Sequence, residues 1–321
     1  MKLLILAVFA VLLSGCAARE LPEPEPAASL AVTEPVETIS VEVEAAALAP
    51  APEPALPVIL ECTAPGLERE EREFAVIDYS NRSDGYVMVC YTGQTEKRLK
   101  VRVTNKTTYT YNLTPGEWTA FPLSDGEGTY RVTIYKNISG SEYATEMAAE
   151  FSVTLTDEFA PFLRPNQYVN YTDSPETMAL GTELCTGLEE PLQKVERVYD
   201  YVVANISYDY EKAATVKSGY LPVLDEVLAA KKGICFDYAA LMTGILRSQQ
   251  VPCKLVVGYA GTVYHAWISV WTEATGWVDG IIFFDGQSWK RMDPTFAAEG
   301  QQDDEILDFI ENGTYTVKYL Y

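Results

Sequence analysis

The sequence changes character near Pro161, and this change restricts the folds that the chain can adopt. Before it, short runs of alternating, β-branched and aromatic residues are separated by turn sequences such as Ser83-Asp84-Gly85 and Thr114-Pro115-Gly116. Several short strands within about a hundred residues predict a small antiparallel sandwich of the immunoglobulin-like kind. After Pro161, apolar residues recur at helical spacing and strand-like runs return only later. Helices followed by antiparallel strands predict an α+β domain.

The individual elements follow from these patterns. Strands are predicted before Pro161 at 74–77, 86–91, 99–103, 130–135 and 151–155. Helices are predicted just after Pro191 as far as Ile206, from Pro222 to Ala230, and from Cys235 to Leu246. Further strands are predicted at 254–259, 265–271 and 276–278, and a last one leads into Asp293.

Residues 1–16 have the pattern of a targeting segment. Lys2 supplies a positive charge, and the apolar run from Leu3 to Leu13 is too short to span a bilayer comfortably. The run ends in Leu13-Ser14-Gly15-Cys16, which resembles the lipobox of bacterial lipoproteins. The resemblance implies lipid attachment at Cys16 and an extracytoplasmic protein anchored to the bacterial cell membrane. An ordinary secretory signal with an incidental cysteine is the alternative.

Residues 17–57 are predicted to be a disordered tether. The segment holds eight of the 18 prolines and eight glutamates, against the single basic residue Arg19. Proline stiffens such a segment, and like charges keep it from collapsing. The remaining chain then divides into a sandwich domain at 58–157 and an α+β domain at 158–321.

Composition excludes several classes of partner. Lys and Arg number 24 against 46 Asp and Glu, which leaves a formal net charge of −22. Nucleic acid is excluded as a partner because phosphate binding needs clustered basic residues. One histidine and no Cys-x-x-Cys pair predict no metal site, and the lack of a glycine-rich phosphate loop predicts no cofactor.

Three residues supply the groups that a thiol catalyst needs. Cys235 begins a predicted helix, His265 is the only histidine and begins a predicted strand, and Asp293 follows the last predicted strand. A helix N-terminus lowers the pKa of a thiol and presents N–H groups to an oxyanion. An imidazole can then move the proton, and a carboxylate can orient the imidazole. Gly233 is expected to make room for substrate beside the cysteine.

The segments around these residues resemble a known family. Gly233-Ile234-Cys235-Phe236-Asp237-Tyr238-Ala239, His265-Ala266-Trp267 and Asp293-Pro294-Thr295 are similar, in this order, to the signatures of the transglutaminase-like superfamily. The resemblance covers roughly residues 199–296 and implies a papain-like fold. It implies Cys235 as nucleophile, His265 as base and Asp293 as orienting residue, with Asp237 in a structural role at the helix start.

Two assignments within this site stay open. Asp279 and Asp285 are rival carboxylates, although the Asp293-Pro294-Thr295 context favours Asp293. The substrate-side oxyanion donor is unknown, since papain-like sites often add a side chain from upstream of the cysteine and both Tyr208 and Tyr210 qualify.

The other cysteines and the C-terminal aromatic residues allow weaker inferences. An extracytoplasmic location permits disulfides, and the four further cysteines allow three pairings, of which domain membership favours Cys62 with Cys90 and Cys185 with Cys253. Six aromatic residues either line a substrate cleft or belong to the core. They are Trp267, Trp271, Trp277, Trp289, Tyr259 and Tyr264.

The favoured function is a lipid-anchored cysteine enzyme that attacks amide carbonyls of a peptide or protein through a thioester on Cys235. Hydrolysis of the peptidase type is favoured over transamidation, and cell-wall peptide is one candidate substrate. The alternative is an inactive surface module that binds peptide or acts as a scaffold. The sequence does not define the role of the sandwich domain or the oligomeric state.

Overall fold

The computed structural model describes residues 52–273, 276–279, 282–284, 289–291 and 314–321. Ala51–Tyr321 form one compact unit. The predicted targeting segment, the lipid attachment site Cys16 and the predicted tether up to residue 51 lie outside the described residues, as does Asp293. Among the helices that the structure describes, none is long and apolar enough to cross a membrane.

Eight strands form the N-terminal half of this unit. They are β1 (Arg69–Arg72), β2 (Ala75–Asp78), β3 (Tyr86–Tyr91), β4 (Leu99–Thr104), β5 (Thr108–Leu113), β6 (Thr119–Pro122), β7 (Gly128–Ser139) and β8 (Glu142–Val153). They pair antiparallel in two four-stranded sheets with the orders β1-β2-β3-β6 and β5-β4-β7-β8. All five predicted strands are present, whereas β1, β5 and β6 were not predicted.

Alternation along the strands explains how the second sheet is buried. In β4, Val101 and Val103 are buried, while Arg102 between them is exposed. In β5, Tyr109 and Tyr111 are buried on the same side of the sheet. These residues join those of the first sheet in a common apolar core, so the inward residues of both sheets stabilise the N-terminal half.

In the described residues of the C-terminal half there are five helices and eight strands. In chain order they are α1 (Pro175–Cys185), α2 (Pro191–Asn205), β9 (Ser207–Tyr208), α3 (Tyr210–Thr215), α4 (Leu224–Ala230), β10 (Lys232–Gly233), α5 (Cys235–Ser248), β11 (Cys253–Ala260), β12 (Val263–Thr272), β13 (Gly276–Asp279), β14 (Ile282–Phe284), β15 (Trp289–Arg291) and β16 (Tyr315–Leu320). The main sheet has the order β13-β12-β11-β16 and is antiparallel. The short strands β9 and β10 pair in parallel just before α5.

Helix α5 is the centre of this half. From Asp237 to its end every residue is buried, because the helix packs against α1, α2 and α4 on one side and β11 and β12 on the other. The predicted mixed α+β architecture is therefore confirmed. Helix α1 was not predicted, since its buried face carries the small or polar residues Thr177 and Gly181 beside Met178, which weakens the hydrophobic periodicity.

The two halves share one core. The rings of Tyr109 and Tyr111 in β5 lie 5.7 and 5.8 Å from the ring of Tyr321, and Tyr168 lies 4.3 Å from the same ring. Tyr321 is only 6% exposed. The second sheet of the N-terminal half is therefore packed directly against the end of the C-terminal sheet.

The segment before β1 is also bound to the C-terminal half. The N–H of Ala55 donates to Oγ1 of Thr186 at 3.1 Å, and Nε2 of Gln249 donates to the oxygen of Ala55 at 3.0 Å. The N–H of Val58 donates to the oxygen of Ser248 at 2.8 Å. These bonds hold residues 55–58 against α1 and α5.

The cysteines do not pair as expected. All five described cysteines are free thiols, so the pairings Cys62–Cys90 and Cys185–Cys253 are wrong. The thiols have other neighbours: Sγ of Cys62 lies 4.0 Å from the oxygen of Pro165, and Sγ of Cys253 lies 3.6 Å from Oγ1 of Thr243. Burial raises the pKa of both Cys62 and Cys253 to about 11, which keeps these two thiols neutral at physiological pH.

Candidate active site

Cys235 and His265 lie on the wall of one open cavity of about 570 Å³. The wall is built from the start of α5, the start of β12, the segment 216–220 and Thr110 of β5. A cavity of this size can hold several residues of an extended peptide or a small molecule. The structure thus brings together two of the three predicted catalytic residues, while Asp293 lies outside the described residues.

Cys235 is the first residue of α5 and is partly exposed. The first helical hydrogen bonds run from the N–H groups of Asp237 and Tyr238 to the oxygen of Ile234, at 2.8 and 3.1 Å. The N–H groups of Cys235 and Phe236 precede these bonds and belong to the positive end of the helix dipole. This location offers donors to a substrate oxygen that gains negative charge.

The helix start is fixed by the buried carboxylate of Asp237. Its Oδ2 accepts a hydrogen bond from the N–H of Ile234 at 2.8 Å and an ion pair from Nζ of Lys212 at 2.7 Å. Its Oδ1 accepts from Oη of Tyr220 at 2.6 Å. The predicted structural role of Asp237 at the helix start is confirmed. The carboxylate also ties α3 and the segment 216–220 to the residue that precedes Cys235.

The reason for Gly233 differs from the expected one. Gly233 is buried, and a Cβ at this position would lie 2.7 Å from Cβ and 3.2 Å from Oδ2 of Asp237. The glycine therefore makes room for the capping carboxylate and not for substrate. The expectation that it allows close approach of substrate is wrong.

His265 is placed by the sheet. It lies in β12 opposite Gly258 of β11, and it is only 4% exposed. Its ring is stacked near that of Trp267, with centroids 6.3 Å apart. A Cβ on Gly258 would be 2.8 Å from the ring of Trp267 and 2.0 Å from the oxygen of Thr316. Only glycine at this position allows β16 and Trp267 to pack so closely behind the histidine strand.

The rival carboxylate Asp279 lies away from the imidazole. It pairs with Ser269 across β13 and β12, and Oγ of Ser269 donates to its Oδ1 at 2.8 Å. Ser269 is four residues beyond His265 on the same strand, which at the rise of a β-strand is about 13 Å. Asp279 is therefore not the orienting residue of His265. The second rival, Asp285, lies outside the described residues.

The two tyrosines that were candidates for the oxyanion site differ in their position relative to the cavity. Tyr208 lies in β9 opposite Gly233 of β10, and its side chain lines the cavity. Tyr210 is 65% exposed and is not part of the cavity wall. Their rings are in contact at 5.0 Å, so Tyr210 supports the orientation of Tyr208. Tyr208 is the better placed of the two.

The predicted aromatic residues divide between cavity and core. Tyr264 lines the cavity and contacts the ring of Tyr259 at 5.5 Å. Trp267 is buried, and the rings of Trp271 and Trp277 both contact that of Phe159, which places them away from the cavity. The side chain of Trp289 lies outside the described residues.

Several wall residues were missed by the sequence interpretation. They are Thr110, Tyr168, Lys217, Tyr220, Tyr319 and Tyr321. They come from β5, from the link between the halves, from the segment after α3, from β16 and from the residue that follows β16, all outside the three motifs. The alternation in Thr108–Leu113 was a usable strand signal, whereas nothing local indicated that this strand reaches the site. Among the residues that the structure describes, no group of three or more His, Cys, Asp or Glu could hold a metal ion.

A partly exposed thiol at a helix start and a buried imidazole on an adjoining strand, both on the wall of one cavity, define a thiol–imidazole site in an α+β fold. Comparison with protein families identifies the kind of domain that contains this site. Residues 178–294 form a transglutaminase-like domain, since they match the model of the transglutaminase-like superfamily. The matched range contains Cys235, His265 and Asp293.

Two curated proteins are similar to parts of the chain. YebA of Bacillus subtilis strain 168, an uncharacterized protein, is 27% identical over 134 residues, which cover 35% of this chain and 18% of YebA. The UPF0252 protein MJ1282 of Methanocaldococcus jannaschii is 31% identical over 96 residues, 26% of this chain and 27% of that protein. The chain thus matches less than a third of the length of either relative.

Solved structures with similarity include a candidate cysteine protease from Cytophaga hutchinsonii, with 16% identity and a TM-score of 0.34 over 65% of this chain and 71% of that one. A second candidate protease, from Parabacteroides distasonis, has 13% identity and a TM-score of 0.30 over 64% and 62% of the two chains. Red sea bream transglutaminase has 12% identity and a TM-score of 0.26 over 72% and 56%.

Proposed function

We propose that the protein is a cysteine enzyme that attacks an amide carbonyl of a peptide or protein substrate through Cys235, with hydrolysis as the favoured outcome. The observation that carries the proposal is the placement of the Cys235 thiol and the His265 imidazole on the wall of the same cavity. The transglutaminase-like domain at residues 178–294 supports the same assignment.

The reaction follows from the groups present. Sγ of Cys235 forms a bond to the carbonyl carbon while its proton passes to the imidazole of His265. The tetrahedral intermediate then expels the amine, which takes that proton and leaves a thioester on Cys235. Water attacks the thioester with His265 as base, and the products are a carboxylic acid and the free thiol. An amine in place of water would give transamidation. Asp293 is proposed to orient the imidazole.

The negative charge of the intermediate is proposed to lie at the start of α5. The N–H of Cys235 lies at the positive end of the helix dipole and is the proposed first donor. Oη of Tyr208 is the proposed second donor, because Tyr208 lines the same cavity. Donors of this kind typically contribute 10²–10³-fold to turnover. In Tyr208→Phe we expect turnover to fall by about that factor, whereas Tyr210→Phe, outside the wall, serves as the matched control.

Location and substrate are proposed from the N-terminal sequence. Lipid attachment at Cys16 would place the enzyme outside the cytoplasm at the bacterial membrane, where cell-wall peptide is one candidate substrate. Globomycin, which blocks lipoprotein signal cleavage, should prevent maturation of the full chain. Processing that is indifferent to the drug would contradict the lipid anchor.

The alternative is a module that binds peptide without turnover, and thiol reactivity separates the two. We expect iodoacetamide to label Cys235 near neutral pH much faster than Cys62 and Cys253, whose raised pKa values make them slow internal references. His265→Ala should slow labelling of Cys235 alone, and Cys235→Ala should abolish the fast reaction. If Cys235 reacts no faster than an ordinary exposed thiol, the binding module becomes the better assignment.

The orienting carboxylate is tested by a pair of variants. Asp293→Asn should reduce turnover strongly, because His265 would lose the group that fixes its tautomer. Asp279→Asn is the matched control, since Asp279 is bound to Ser269 and lies away from the imidazole. Full activity in Asp293→Asn would remove this residue from the proposed mechanism.

A further inference from the structure

Strand β5 borders the cavity that contains Cys235 and His265. It is the edge strand of the second N-terminal sheet, and its exposed Thr110 is part of the cavity wall. The segment 216–220, another part of the wall, comes close to the same strand: a Cβ on Gly219 would lie 3.4 Å from Nδ2 of Asn112. The N-terminal half thus contributes directly to the candidate active site.

The main chain of Thr110 faces outward from the sheet. Two residues further on, the N–H of Asn112 donates to Oε1 of Gln167 at 3.1 Å, and Nε2 of Gln167 donates to the oxygen of Asn112 at 2.9 Å. Alternate residues of an antiparallel strand direct their N–H and C=O groups to the same edge, so Thr108 and Thr110 also face outward. Oη of Tyr168 lies 3.5 Å from the oxygen of Thr110. Within the described part of the chain, the N–H of Thr110 has no hydrogen-bond partner.

The side-chain amide of Gln167 imitates an added strand at Asn112, whereas at Thr110 the oxygen contacts Tyr168 Oη and the N–H is left open. An outward-facing edge is a template on which an extended peptide can pair. The open position belongs to the same cavity as the nucleophile, and the Tyr168 ring beside it contacts the ring of Phe236, next to Cys235, at 5.7 Å. A peptide paired at Thr110 would therefore share the cavity with Cys235.

We propose that β5 is a substrate-binding element, in which an extended segment of the peptide substrate pairs with the main chain of Thr110 while a carbonyl of the same substrate lies at Cys235. This inference rests on the proposed function for its substrate. Pairing through main-chain groups selects an extended conformation rather than particular side chains. Through β5, the N-terminal half would take part in substrate recognition by binding unfolded or flexible peptide.

Two proline variants of the full chain test the pairing. Thr110→Pro removes the outward N–H and leaves the bonds between β4 and β5 intact, because those bonds use the residues on either side. Thr108→Pro makes the same change one outward position away, where the strand does not line the cavity. Thr110→Val removes only the side-chain hydroxyl group and tests its contribution.

The probe is an epoxysuccinate that carries tetra-alanine on both carboxyl groups, compared with epoxysuccinamide, which has the same electrophile and no peptide. The measured quantity is the ratio of their second-order rates of modification at Cys235. We expect the ratio to exceed one in the parent and to fall about five- to tenfold in Thr110→Pro, the effect of one lost hydrogen bond. Thr108→Pro and Thr110→Val should retain the parent ratio.

Three results would overturn the proposal: no peptide advantage in the parent, an unchanged ratio in Thr110→Pro, or equal losses in both proline variants. If Thr110→Pro does not fold, a probe whose alanine amides are replaced by trans-alkene groups, which have no carbonyl to accept from the Thr110 N–H, makes the test on the parent, where an undiminished rate would equally overturn the pairing. Failure of the proposed function looks different, because epoxysuccinamide itself would then modify Cys235 no faster than an ordinary thiol.

Discussion

Replacing Asp237 by asparagine should destabilise the protein and slow its thiol chemistry together. The carboxylate is fully buried and accepts from Ile234 N–H, from Tyr220 Oη and from Lys212 Nζ, all within 2.8 Å. Asparagine keeps the shape but removes the charge, and it presents an NH₂ group where only donors surround it. Breaking a buried ion pair costs about 3–5 kcal/mol. Because the Lys212 side chain is 27% exposed, water can solvate its charge and offset part of this cost. We therefore expect the free energy of unfolding to fall by about 3 kcal/mol.

Urea unfolding followed by circular dichroism measures this loss. Asp225→Asn is the matched control, since Asp225 also accepts from a helix start, at the N–H groups of Glu176 and Thr177, but pairs with no cation in the structure described. In Asp225→Asn the free energy of unfolding should fall by about 1 kcal/mol, the usual effect of losing a helix cap without an ion pair.

A double-mutant cycle decides whether the ion pair is the cause. Lys212→Met should be destabilising alone because it leaves the Asp237 charge without its cation. In the double variant with Asp237→Asn neither charge remains, so the combined loss should be smaller than the sum by about 1–2 kcal/mol. Additive losses, or an Asp237→Asn loss no larger than that of Asp225→Asn, would refute the reasoning. Iodoacetamide labelling of Cys235 should slow in Asp237→Asn and stay near the parent rate in Asp225→Asn.

Three further predictions concern stability. Gly258→Ala should cost about 3 kcal/mol in urea unfolding, because its Cβ would meet the oxygen of Thr316 and force β16 away from β11; an unchanged midpoint would contradict this packing. Arg247→Met should cost about 4 kcal/mol, since this buried guanidinium donates to the main-chain oxygens of three separate segments, and a loss below 1 kcal/mol would show that those oxygens find other donors. Between pH 9 and 11 stability should fall, because burial raises the Cys253 pKa to about 11 and the unfolded thiol loses its proton first. Urea unfolding at pH 8.5 and 10.5 measures this fall in the parent and in Cys253→Ala. The free energy of unfolding of the variant should fall by roughly 2 kcal/mol less than that of the parent, and an equal fall in both proteins would contradict the assignment to Cys253.

Local patterns predicted much of the fold. The helix that begins at Cys235 and the strand that contains His265 were predicted because each carries a continuous apolar pattern over a full element. Helix α1 was not predicted because its buried face uses Gly181 and Thr177, residues whose burial depends on the neighbour they pack against. Strand boundaries differ where pairing continues beyond the apolar run: β7 begins two residues before and ends four residues after the predicted strand, and β8 begins nine residues before its predicted start.

The candidate site was predicted only in part, for a different reason. Cys235 and His265 occur in recognisable local sequences, and the roles proposed for them with Asp293 stay predictions. The walls around them come from segments that meet only in the folded chain, such as Thr110 in β5 and Tyr321 after β16. The role of Gly233 was misjudged because glycine is required there by contact with the side chain of Asp237, four residues later. The identity of Gly233 alone does not indicate that contact.

The packing of the two halves sets a lower limit on any fragment made for engineering. The part of the chain that matches the transglutaminase-like family ends at residue 294, before β16 begins. A fragment cut to that match would uncover the edge of β11 and remove Tyr321, whose main-chain oxygen accepts from the buried Arg247. It would also lack β5 and its tyrosines, which pack on the same ring. Exchange of this transglutaminase-like module between proteins must therefore carry the N-terminal sheets and the final strand along with it.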